Sequence, residues 1–64
     1  MADYTRTVKN ALKHEGCYFV RYGKGDHEIW YSPITSRNIV VDGSITKRTS
    51  AIKTLRKAGV NKRV

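Results

Sequence analysis

Residues 17–32, "CYFVRYGKGDHEIWYS", decide how this chain folds. Two short runs rich in aromatic and β-branched residues flank a turn with two glycines. Such runs read as strands, and "GKGD" between them reads as the loop of a β-hairpin, its glycines supplying positive φ. Pro33 ends the second strand, because a proline has no amide hydrogen to donate to a ladder. Beyond it "ITSR" reads as a turn, "NIVV" as a short third strand, and "DGS" as the break after that strand.

Helices are expected on both sides of this hairpin region. Tyr4, Val8, Ala11 and Leu12 fall on one helical stripe, with Asp3 or Thr5 as N-cap and Gly16 as a left-handed stop. Arg6, Lys9 and Lys13 fall on the opposite face. Ala51, Ile52, Leu55 and Ala58 form the stripe of a last helix, expected to begin at Thr49 or Ser50 and to stop at Gly59. The order is α-β-β-β-α. Both stripes need cover, so the predicted architecture is α+β: a three-stranded antiparallel sheet with both helices on one face. With 64 residues the chain makes a single domain, residues 1–64, and its core is too thin for a deep closed active site. Any chemistry belongs on an open surface, with a substrate that brings its own bulk.

Charge narrows the partners. Thirteen Lys and Arg against five Asp and Glu give +8, and from Gly43 onward seven basic residues meet no acid. A polyanion, nucleic acid first, is the expected partner. The plainer reading is charge kept for solubility. Neither helical stripe makes the broad apolar face of a membrane-surface helix, and no run is long enough to span a bilayer. "ADYTRT" after Met1 does not read as a secretory signal, and Cys17, the single cysteine, has no partner for a disulfide. A cytoplasmic place is expected.

"DHE", residues 26–28, looks like a ligand cluster, but a strand sends neighbours to opposite faces. His27 then faces away from Asp26 and Glu28, whereas a zinc site needs three or four converging ligands. "GKG" lacks the third glycine and the following helix of a dinucleotide loop. Cys17 reads as a small core residue. General acid–base chemistry remains: an imidazole exchanges protons near neutral pH, and RNA carries its own nucleophile in the 2′-hydroxyl. The plain alternative is an idle or structural histidine at a strand start.

Three stretches bear on that choice. "GCYFVRYGKGDHEIWYSP" (16–33) resembles the Gly-(apolar)-Arg-x-x-Gly-Ser-His-x-(aromatic) core of HicA-type toxins, also called YcfA-like proteins. "VKNALKHEGCYFVR" (8–21) is similar to that family's first helix, glycine and first strand. "ITKRTSAIKTLRKAGV" (45–60) is similar to its basic linker and closing helix. The likeness covers nearly the whole chain, in order. It implies a fold like that of double-stranded-RNA-binding domains, and a metal-independent endoribonuclease that cleaves mRNA without a cofactor and arrests translation. It also implies one required histidine, His27 here, and a HicB-type antitoxin as protein partner. Gly25 matches the motif glycine. Asp26 stands where the family carries serine, and it adds negative charge where an RNA phosphate must approach.

Around His27, Gly23, Gly25 and Asp26 are expected to shape the supporting turn, with Lys24 and Arg21 contacting phosphate. Lys47 and Arg48, ahead of the last helix, are expected to grip the RNA backbone. The plain readings are a solvated Lys24, an Arg21–Glu28 pair across the hairpin, and Lys47 and Arg48 kept for solubility. Trp30 and Tyr31 differ in parity, so one faces the core and the other is free to stack on a base. The alternative to an enzyme is a non-catalytic RNA-binding module of the same fold. DNA binding lacks a helix-turn-helix pair to support it.

Overall fold

A computed structural model describes residues 3–62. Its elements run α1 (Thr5–His14), β1 (Tyr18–Tyr22), β2 (Glu28–Ser32), β3 (Arg37–Val41) and α2 (Arg48–Lys57). The strands form one antiparallel sheet in the order β1-β2-β3. Alternation along β2 and β3 aims Trp30, Ser32, Ile39 and Val41 at the helices, where all four are buried. Trp30, Ile39 and Val41 meet Val8, Ala11 and Leu12 of α1 and Ala51 and Leu55 of α2 in one core. The expected α+β layout, with both helices behind one sheet face, is the fold of the chain. No helix among the described residues is long and apolar enough to cross a membrane.

Two polar groups tie the helices to that face. Lys9 Nζ donates to Glu28 Oε2 at 2.7 Å, and Trp30 Nε1 donates to Glu28 Oε1 at 2.9 Å. Lys9 therefore leans toward the sheet instead of standing with the solvated face of α1. The lysine bond, followed by the indole bond, holds the Glu28 carboxyl below the ordinary glutamate range. The fully buried Ser32 hydroxyl donates to Ala58 O at 2.6 Å, satisfying a carbonyl at the end of α2. Gly59 follows at φ 76°, and a methyl group there would stand 2.8 Å from Ile34 Cγ2. Here the left-handed stop and the close approach of the β2–β3 turn both require glycine.

Several expected details shift. Helix α2 starts at Arg48, with Lys47 as N-cap and no side-chain cap bond, so neither Thr49 nor Ser50 caps it. Helix α1 has Tyr4 as N-cap with no side-chain cap bond, so neither Asp3 nor Thr5 holds that position. The Asp3 carboxylate accepts from Thr5 N at 3.0 Å, while Thr5 Oγ1 accepts from Ile45 N at 2.8 Å, tying the chain ahead of α2 to the start of α1. Cys17 is buried, but it lies just before β1.

Strand β1 departs most. It is exposed at every residue. The register jumps between Phe19 and Arg21, leaving Val20 as a bulge. Past the bulge the facing of β1 is reversed. Arg21 stands opposite Ile29, and Tyr22 stands opposite Glu28 on the helix side. Contact between the Phe19 and Tyr22 rings, centroids 5.0 Å apart, places those two residues on one side.

Candidate functional site

The hairpin loop positions His27. His27 N donates to Lys24 O at 3.2 Å, closing a turn over Gly25 and Asp26, and Gly23 N donates to His27 O at 2.8 Å. Gly25 has φ 65° while Asp26 is not at positive φ. A positive φ at the first central residue alone suits a type II′ hairpin turn. Gly23 is not in the left-handed region. Its value is space: a methyl group there would lie 3.2 Å from Ile29 Cδ1 and 3.4 Å from His27 Cβ. Those distances also place the Ile29 and His27 side chains on one face, the face turned away from the helices.

Across the sheet from His27 lies a residue that local sequence did not single out. Glu28 pairs with Val41, so the next step of the same antiparallel register brings His27 opposite Asp42. Their side chains meet there, His27 Nε2 lying 3.1 Å from Asp42 Oδ1. Both are about half exposed, at 52% and 51%. The contact depends on Gly43. A methyl group at that position would overlap the main-chain oxygen of Asp26 and lie 3.0 Å from its Cβ. The glycine of "DGS" therefore lets the β1–β2 turn sit directly on the segment after β3. Asp26, His27, Asp42, Gly43 and Ser44 line one shallow notch. A strand break was the only signal in "DGS", and nothing in a linear reading joins it to residue 27.

The other expected residues divide. Lys24 belongs to the same turn and is exposed. The bulge sets Arg21 on the open face one cross-strand pair from His27. Its guanidinium contacts Tyr22 O at 3.5 Å, while the Glu28 carboxylate is taken by Lys9 and Trp30, so the cross-hairpin Arg21–Glu28 pair does not form. Lys47 and Arg48 are exposed at the start of α2, beyond the notch in the chain. Trp30 is 2% exposed and belongs to the core; Tyr31 is the member of that pair on the open face.

An imidazole held by a carboxylate at one nitrogen can exchange protons at the other. At 3.1 Å the Asp42 carboxylate stands beside Nε2 of His27, which leaves Nδ1 as the other ring nitrogen. Asp26, His27 and Glu28 do not converge, since Glu28 points to the helices. Among the described residues no group of three or more His, Cys, Asp and Glu side chains is placed to hold a metal ion. Comparison with protein-family models, with curated proteins and with solved structures finds no match to this chain.

Proposed function

We propose that this chain is an endoribonuclease toxin of the HicA class, cleaving mRNA with His27 and held in check by a HicB-type antitoxin. The observation that carries the reading is the exposed His27–Asp42 pair, at the hairpin end of a sheet in a chain of net charge +8. His27 Nδ1 takes the proton of a 2′-hydroxyl, O2′ attacks the adjacent phosphorus, and the bond from phosphorus to O5′ breaks. The imidazolium returns its proton to O5′. Asp42 fixes the orientation of the ring, as a carboxylate behind a histidine does. Lys24 and Arg21 face the charge that develops on the phosphate; Lys47 and Arg48 hold the flanking backbone. No cofactor enters this scheme.

The test is cleavage of RNA, and arrest of growth, by the wild type and by His27→Ala. Equal activity in the two removes the histidine from the chemistry. A wild type that cuts no RNA when freed of any antitoxin removes the enzyme reading itself.

One observation favours a second reading, a non-catalytic RNA-binding module. Asp26 and Asp42 set two carboxylates beside His27, where a phosphate has to approach. If Asp26 suppresses the chemistry, Asp26→Ser raises cleavage above that of the wild type.

A further inference from the structure

The three strands set the open face of the sheet in rows. Tyr18, Tyr31 and Asn38 stand opposite one another in the first, and Arg21, Ile29 and Val40 in the second. Gly23, His27 and Asp42 continue the same face as the third. An antiparallel sheet covered on one side commonly turns polar residues to water on the other. Here the first two rows set Tyr18, Tyr31, Ile29 and Val40 on the open face beside Asn38 and Arg21. Tyr18 is 56% exposed and Val40 44% exposed. The Tyr18 and Tyr31 rings lie side by side, centroids 5.5 Å apart and tilted by 39°.

We infer that the first row is a base-binding subsite for single-stranded RNA, with Tyr18 and Tyr31 as the stacking surface and Asn38 reading a base edge. The inference rests on the ribonuclease reading for its class of ligand. Three further facts favour RNA over a protein. The face is continuous with the His27 notch, its charged side chain in the middle row is Arg21, and the chain carries +8. Aromatic rings accept any base as a stacking partner, and an amide beside them both donates and accepts hydrogen bonds. Tyr31 lies four residue steps beyond His27, about 13 Å, or roughly two nucleotides of an extended strand. A base stacked on the tyrosines would hold the scissile phosphate over His27. A duplex cannot use these rings, because its bases are already stacked.

The experiment separates the subsite from the chemistry. Binding of a single-stranded RNA oligonucleotide is measured with His27→Ala protein, alone and combined with Tyr18→Leu or Tyr31→Leu. Leucine keeps apolar bulk but removes the stacking ring, and an unchanged circular dichroism spectrum checks the fold. Loss of one stack is expected to weaken binding from about five-fold to over a hundred-fold, with duplex RNA affinity unmoved. In the cleaving protein Tyr31→Leu is expected to raise KM and leave kcat nearly unchanged. Unchanged single-strand affinity in both tyrosine variants overturns the subsite, and His27-dependent cleavage in the same preparation leaves the enzyme reading intact. If a co-purifying protein shields Tyr18 and Tyr31 from hydrogen exchange and saturating RNA does not, the face is a protein-docking surface and the inference fails. A wild type that neither binds nor cuts RNA ends both readings.

Discussion

His27 and Asp42 carry the sharpest consequences of this structure. His27→Ala is expected to abolish cleavage with little loss of stability, since the ring is half exposed. Asp42→Asn keeps the shape but removes the charge and presents an amide that donates as well as accepts, so the ring loses its fixed tautomer and cleavage is expected to fall by about ten-fold or more. Nitrogen chemical shifts of the imidazole give a readout free of activity: the neutral ring should hold its proton on Nε2, and Asp42→Ala should release that preference. Equal tautomer populations in the wild type would sink the positioning role of Asp42. Gly43→Ala drives a methyl group into the Asp26 main chain. It is expected to cost about 1–3 kcal/mol in urea unfolding and to lower cleavage further by prising the turn from Asp42. The candidacy of residue 27 was legible in the sequence, from the chemistry of an imidazole near neutral pH and from the resemblance of its stretch to the HicA-type motif. Asp42 was not, because its partner lies across a strand that a linear reading leaves unregistered.

Among the elements, β2 joins the two layers. Its helix-side residues Glu28, Trp30 and Ser32 each hold a bond that an alternating apolar pattern does not announce. Glu28 ionises below the ordinary glutamate value of 4.5 because Lys9, then Trp30, favours its charged form. The stabilisation is therefore full above that ordinary value and is lost as pH falls through the lowered value of the folded state. Urea midpoints from pH 7 to pH 3 are expected to drop at the acid end, and Glu28→Gln is expected to flatten that drop while costing about 1–2 kcal/mol at neutral pH. A pH profile unchanged by the substitution would show that other carboxylates control acid unfolding. Ser32→Ala strands the Ala58 carbonyl in the core and is expected to cost about 1–3 kcal/mol. Helix α2 shows where capping rules misplaced a boundary: Thr49 and Ser50 are good caps, yet the helix runs back to Arg48. The reach of an element is set by what it packs on, and propensity at its ends is a weak force beside that.

For the molecule as a whole the charge of +8 sets the expected response to salt. If four to six phosphates are contacted, log affinity for RNA should fall against log salt with a slope of about −3 to −4. A flat response would exclude phosphate-driven binding. The charge is also the reason to look for an acidic antitoxin as partner, and a pull-down in low and high salt tests that pairing. The +8 itself was legible from the sequence, and so was the layered α-β-β-β-α order. Periodicity of 3.6 or 2 residues marks which segments must bury a side, and with 64 residues only one layered solution buries both helical stripes.

Composition and pattern alone thus settled the fold class, the hairpin and the net charge, and resemblance of one stretch to a family motif singled out His27. Each depends on residue type or on spacing along the chain. The facing of β1, the pairing of His27 with Asp42 and the burial of Trp30 rather than Tyr31 were decided only by the folded sheet. One bulge at Val20 reverses the facing of the rest of β1 and turns Arg21 toward the face of His27. One glycine, Gly43, lets two loops touch. Bulges and close approaches arise from long-range contacts, and local spacing carries no record of them.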